Sequence, residues 1–262
     1  MGERAVALGL PLLTPERLRD ASVVAVVTAL HPEIGVLADY GKLLPQAILD
    51  LPQRGILNLH PSLLPRHRGA TPVPAAILEG DAQSGVSLFR MDAGMDTGPI
   101  VAAEAVALSG DEDAPGLEAR LAAVAAGLLG RSLGPWLRGA LPAIAQSPEP
   151  MNVTRPFRRE DGRLDPARPA AALERQVRAC RPWPGTFLRT PAGRVGVLRA
   201  AVAPAQAGDE QGRLVADDGA GLALATADGR LRLLEVQPAG GRPMDAAALL
   251  RGRAGLVGAR VG

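Results

Sequence analysis

A chain of 262 residues with 47% hydrophobic content has room for one large domain or two of ordinary size, each with a packed core. No apolar run approaches membrane-spanning length, no basic-then-apolar leader opens the chain, and the single cysteine, Cys180, excludes an intramolecular disulfide and fits a reducing cytoplasm. The net charge of +2 excludes a uniformly basic or acidic surface, so a polyanion-binding face has to come from local skew.

In chain order, residues 4–9 suit a short helix ending at a glycine, and 15–20 another helical turn. Residues 23–30 are apolar enough for a strand, although their alanines suit a helix equally. A better strand runs over 34–39, followed by Tyr40-Gly41 and a helix over about 45–51 with proline in its first turn. Next, Gly55-Ile56-Leu57-Asn58-Leu59-His60 alternates apolar residues with Asn and His, the period of a strand. Asn58 and His60 are two apart, so both side chains leave the same face. The strand stops in Pro61-Ser62-Leu63-Leu64-Pro65-Arg66-His67-Arg68-Gly69, where prolines and glycine block helix and ladder alike.

A helix near 74–79 is closed by Gly80. Two strands, 86–91 and 100–106, then flank the tight loop Asp92-Ala93-Gly94-Met95-Asp96-Thr97-Gly98. We expect the fold to bring this loop to the end of the Asn58/His60 strand. Asp113 caps a longer helix whose Leu117, Leu121, Val124 and Leu128 form an apolar stripe. Strands alternating with helices imply a mostly parallel sheet with helices on its faces, ending near residue 141.

Residues 142–156 contain four prolines and little periodicity, which reads as a linker. The expected organisation is therefore a catalytic domain over 1–141, a linker over 142–157 and a second domain over 158–262. That second part opens with a helix over 169–180. Strands follow at 185–189, 195–202, 212–216, 221–225 and 230–236, and a helix at 244–251 closes it. Asp217-Asp218-Gly219 and Ala227-Asp228-Gly229 are hairpin turns. Five short strands with a helix at each end suggest a small barrel of the oligonucleotide-binding (OB) type.

Charge divides along the same line. Residues 1–150 hold 11 basic and 16 acidic side chains, net −5, whereas 151–262 hold 18 and 11, net +7. Such a skew suits a polyanionic partner. An arginine-rich chain with Lys42 as its single lysine shows the same skew without one, so charge leaves both readings open.

Asn58, His60 and Asp96 are the residues with chemistry to offer. A carboxamide N–H can hold an oxyanion, and an imidazolium can stabilise negative charge or donate a proton. An aspartate within reach would orient the imidazole and favour its protonated form. The motif contains no matching nucleophile, which points to direct attack on a carbonyl by the substrate's own nucleophile. Each residue alone also fits a structural role, Asn satisfying loop backbone and His bonded in the core. With one cysteine and three histidines (His31, His60, His67), no metal site is expected.

Asn58-x-His60-Pro61-Ser62-Leu63-Leu64-Pro65-x-x-x-Gly69 with Asp92-x-Gly94-x-Asp96-Thr97-Gly98 resembles the signature of the folate-dependent formyltransferases. The wider context resembles the subfamily that formylates methionyl-tRNA. It comprises Asp39-Tyr40-Gly41-Lys42-Leu43-Leu44-Pro45, Arg66-His67-Arg68-Gly69-Ala70-Thr71-Pro72, Arg181-Pro182-Trp183-Pro184-Gly185 and Gln237-Pro238-Ala239-Gly240. The resemblance covers about residues 8–253. It implies an α/β, Rossmann-like formyltransferase domain followed by a small OB-like β-barrel. It also implies transfer of a formyl group from 10-formyltetrahydrofolate to the α-amino group of methionyl initiator tRNA. Asn58, His60 and Asp96 would be the catalytic trio, Ser62, Leu63, Leu64 and Pro65 part of the folate site, and the basic second domain the tRNA-binding part. A cytoplasmic monomer is expected.

The family opens with a strand, a Gly-Thr-Pro turn, a helix and a second strand ahead of the position matched by Met1. Relative to that pattern the first domain is amino-terminally incomplete, which is expected to expose an apolar sheet edge. Two other readings follow from the resemblance. One is formyl transfer to an amino sugar or other small amine, or formyltetrahydrofolate hydrolysis. The other is a catalytically inert RNA-binding relative.

Overall fold

The computed structural model describes residues 2–41, 43–147, 152–217 and 221–262. Two short helices come first, α1 (Gly2–Ala7) and α2 (Ala21–Ala29), and neither buries a residue. Residues 23–30 thus settle on the helical alternative, where the backbone satisfies its own hydrogen bonds without a neighbouring strand. Residues 15–20 form bends and turns instead of the expected helical turn.

β1 (Gly35–Ala38), α3 (Gln46–Leu49, with Pro45 as N-cap), β2 (Ile56–His60), β3 (Arg68–Gly69), α4 (Pro72–Glu79), β4 (Gln83–Arg90) and β5 (Ile100–Ala107) follow. Lys42, part of the expected motif after β1, lies outside the described residues. Gly80 closes α4 at φ 69°, a left-handed cap that suits glycine. α5 (Ala114–Leu137) starts as expected at Asp113, whose side chain accepts from the Gly116 N–H at 2.9 Å.

The first sheet has the order β1-β2-β4-β5. Only β1–β2 is parallel; β2–β4 and β4–β5 are antiparallel. The sheet is therefore mixed, which corrects the expectation of a mostly parallel one. The short Asp92–Gly98 loop joins β4 to β5 as a hairpin, and a hairpin can only be antiparallel. Leu57, Leu88 and Val86 pack with Leu117, Leu121 and Leu128 of α5 into one core, with Val124 only half-buried. Each such side chain taken out of water contributes about 1.5–3 kcal/mol. Among the described residues β1 is an edge strand, and its own Val36 is exposed, as are Leu8, Leu10, Leu13, Leu30 and Leu43.

The second half contains α6 (Ala170–Ala179), β7 (Thr186–Thr190), β8 (Gly193–Ala203), β9 (Leu214–Asp217), β10 (Gly221–Ala225), β11 (Arg230–Pro238), β12 (Met244–Asp245) and α7 (Ala246–Gly252). Its strands run in the order β7-β8-β11-β10-β9, antiparallel throughout, with β12 added to β11. Among the described residues no pairing joins β7 to β9, so the barrel is not closed. The Ala227-Asp228-Gly229 turn does connect a hairpin, β10 to β11, whereas Asp218 and Gly219 lie outside the described residues. Among the described residues, no helix is long and apolar enough to cross a membrane.

The segment expected as a linker is laid along the first half of the chain. Ile144 pairs with Ile100, and β6 (Val153–Thr154) pairs in parallel with β3. Residues 148–151 of that segment lie outside the described residues. α6 also packs on α4: Ala179 enters the first core and Arg175 Nε donates to the Leu78 carbonyl at 3.0 Å.

Candidate active site

β2 lies between β1 and β4, so its side chains alternate between two covered faces. Leu57 and Leu59 face the α5 core, which leaves Asn58 and His60 together on the other face. Asn58 is half-buried, and its carboxamide has no hydrogen-bond partner among the described residues. It is a donor held on a rigid strand and left open.

His60 is 5% exposed. Its Nε2 meets the His67 carbonyl oxygen at 2.9 Å. A carbonyl only accepts, so Nε2 carries a proton in every state and Nδ1 is the nitrogen that titrates. Nδ1 stands 3.7 Å from Asp96 Oδ2, so the fold does bring the glycine loop to the end of β2. Asp96 Oδ2 in turn accepts from the Gly69 N–H at 2.7 Å. The loop is shaped internally by Asp92, whose Oδ1 accepts from Gly94 N–H and Thr97 Oγ1. It leaves no room at Gly98, where a Cβ would collide with the Arg90 carbonyl of β4.

The electrostatics reverse one expectation. Burial is the largest influence on His60 and pushes its pKa below 6.5; Asp96 and the bond to His67 O pull it back only in part. At 3.7 Å the carboxylate is beyond hydrogen-bond range, and desolvation of an imidazolium outweighs it. His60 is therefore neutral near pH 7, with an open lone pair on Nδ1, and is not held protonated.

Ser62 is fully buried; its Oγ donates to the Arg66 carbonyl at 2.6 Å, and its own carbonyl accepts from Ser87 Oγ. That hydroxyl shapes the loop and is not presented to a ligand. Leu64 is buried too, with its N–H donating to Ser87 Oγ, so Leu63 and Pro65 offer the loop's half-buried apolar surface. A cavity of about 480 Å³ lies elsewhere, lined by residues such as Leu13, Val27, Val36, Leu37 and Ile48. None of Asn58, His60 and Asp96 lines it.

Three residues around the site carry no signal in sequence periodicity: His67, Gln146 and Asn152. His67 is buried at φ 56°, with Nε2 2.7 Å from Asp81 Oδ2 and Nδ1 3.0 Å from Asn152 Nδ2. His67, Glu79 and Asp81 have the composition of a cation site. Arg66 bonds both Glu79 and Asp81, and Asn152 donates to Glu79, so these ligand atoms are already engaged in a polar network. The Arg66-His67-Arg68-Gly69 string was the only sequence signal for any of this.

The formyl transferase family model matches residues 4–133, and that of the formyl transferase C-terminal domain matches 156–254. The methionyl-tRNA formyltransferase of Chloroflexus aggregans is 42% identical over 249 residues, 95% of this chain and 81% of that protein. That of Thermus thermophilus is 43% identical over 260 residues, 98% of this chain and 83% of its own length. The chain belongs to the methionyl-tRNA formyltransferase family. An N-formyltransferase from Helicobacter canadensis, solved with folinic acid and dTDP-3-aminofucose, superposes with a TM-score of 0.67 at 14% identity. The match covers 88% of this chain and 80% of that one, and at such low identity it speaks for the fold alone. The formyltransferase fold expected from the sequence, a catalytic part followed by a carboxy-terminal domain, is the one found.

Proposed function

We propose that this formyltransferase moves the formyl group of 10-formyltetrahydrofolate onto the α-amino group of methionyl initiator tRNA, with Asn58, His60 and Asp96 as the catalytic set. The observation that carries the reading is the open Asn58 carboxamide beside the His60–Asp96 pair at the end of β2. The neutral amine attacks the formyl carbon. The oxygen that becomes negative accepts a hydrogen bond from Asn58 Nδ2. Nδ1 of neutral His60 takes the proton released by the amine, and Asp96 stabilises the imidazolium so formed. That proton then passes to N10 of the folate as the carbon–nitrogen bond breaks. Leu63 and Pro65 supply apolar wall to the folate, with Ser62 and Leu64 holding the loop's shape.

The net +7 of residues 151–262 is assigned to the tRNA. Arg158, Arg159 and Arg163 are exposed just beyond β6, and the Arg159 guanidinium lies 5.9 Å from the exposed Trp183 ring. The working form is a monomer acting in the cytoplasm, where initiator tRNA is charged. Incubation with labelled 10-formyltetrahydrofolate and methionyl initiator tRNA is expected to label the tRNA. A nucleotide-linked amino sugar under the same conditions is expected to stay unlabelled, and the reverse pattern would overturn the assignment.

Because His60 must be neutral to accept a proton, kcat/KM is expected to rise with pH through a midpoint below 6.5. Asp96→Asn removes an influence that raises the pKa, so the midpoint is expected to move lower still. A midpoint above 6.5, or one unmoved by Asp96→Asn, contradicts the assigned roles. The stability linkage has a matching sign. With the folded pKa below the unfolded value, the contribution of His60 is complete above 6.5 and is lost as pH falls toward the folded value.

Binding of the full chain to tRNA is expected to weaken linearly on a log–log plot as salt rises, since phosphate contacts release counterions. Arg158→Ala should make that slope shallower. A flat response between low and moderate salt would remove phosphate contact as the main source of affinity.

A further inference from the structure

Gln146 sits in the stretch that sequence composition marks as a linker, yet its whole hydrogen-bonding capacity is spent on the active site. Its Nε2 donates to the Asp96 carbonyl at 2.8 Å and to the Gly98 carbonyl at 2.7 Å. Its Oε1 accepts from Arg68 Nε at 3.1 Å and Arg68 Nη2 at 2.5 Å. Two donors and two lone pairs are the full complement of a carboxamide.

We propose that Gln146 is a positioning residue for formyl transfer: its side chain clamps the glycine loop so that the Asp96 carboxylate faces His60. This rests on the catalytic set assigned above. The clamp reaches Asp96 by two routes. One is direct, through the carbonyls of Asp96 and Gly98. The other runs through Arg68, which precedes Gly69, the residue whose N–H holds Asp96 Oδ2. The strand carrying Arg68 is fastened to the same inter-half segment, with Arg68 N–H donating to the Asn152 carbonyl and Thr154 Oγ1 donating to the Arg68 carbonyl.

The loop needs an external hold. Asp96 adopts φ 54°, a left-handed conformation that aspartate tolerates better than most residues but still at a cost, and Ala93, Gly94 and Met95 beside it are exposed. No smaller or charged side chain reproduces the arrangement. Asparagine is one methylene short, and glutamate would set an acceptor against two carbonyl oxygens.

The orientation of Asp96 has a direct reporter in His60. The titratable and charged groups around that ring are Asp96 from the β4–β5 loop and His67 from the loop after β2; Asp81 lies one contact beyond, on His67, and Arg68 one contact beyond, on Gln146. Gln146→Leu and the near-isosteric Gln146→Met add no charge to this set. If they free the loop, they withdraw Asp96 and with it the influence that raises the His60 pKa.

The test uses the full chain with ¹⁵N-labelled histidine, the His60 ring signal being identified by its loss in His60→Asn. Both Gln146 variants are expected to titrate His60 at a lower pH than the wild type. They should also show a kcat at least tenfold lower, with KM for 10-formyltetrahydrofolate within about twofold. An unshifted His60 midpoint in a variant that still unfolds cooperatively overturns the proposal, whatever happens to kcat, because a merely structural glutamine would leave Asp96 where it was. Should Gln146→Leu fail to fold, Gln146→Met decides. The titration needs no substrate, so a wild type inert in formyl transfer would refute the assigned reaction while the midpoint still judged the clamp.

Discussion

Asn58→Ala is expected to lower kcat for formyl transfer by about 10²–10³, the usual cost of removing one preorganised oxyanion donor. Its carboxamide is fixed on a strand flanked on both sides, faces the same way as His60, and has no partner of its own among the described residues. Removing it leaves no cavity in the core, which Leu57 and Leu59 fill on the opposite face. Stability and folate affinity should therefore change little, and the loss should fall on kcat with KM nearly constant. Steady-state kinetics with methionyl initiator tRNA, beside a folate titration, measures both. A kcat within threefold of wild type would remove Asn58 from the mechanism.

The second large effect is expected at Gly69. The residue sits at φ 96°, outside the region open to side chains, and a Cβ there would collide with the Thr154 carbonyl. Its N–H is also the hydrogen bond that orients Asp96. Gly69→Ala therefore has to move β3 away from β6. The backbone strain alone costs about 1–3 kcal/mol. At roughly 2–4 °C per kcal/mol for a chain of this size, thermal unfolding should drop by several degrees. Formyl transfer should fall as well, since the carboxylate loses its holder. Calorimetry and the same kinetic assay read the two effects, and retention of both the wild-type Tm and rate would show that the β3–β6 pairing is not needed.

What the sequence by itself determined is what depends on neighbours along the chain. The alternation around Asn58 and His60 marked a strand with both polar side chains on one face, because strand periodicity is local. Asp113 and Gly80 announced helix ends, and the Asp92–Gly98 glycines announced a tight loop, because caps and turns are set within a few residues. The paired motifs then carried the family. The tertiary structure alone decided the rest. The parallel or antiparallel sense of β4 against β2 depends on the path of the chain between them, which periodicity does not record. Gln146 and Asn152 reach the site across 50 and 85 residues of chain, and a polar side chain in a proline-rich stretch looks the same whether it meets water or Asp96. The protonation of His60 lies beyond the reach of the sequence for the same reason. Charge partners can be guessed from a motif, but how far a group is removed from water is a property of everything packed around it, and here that burial outweighs the carboxylate.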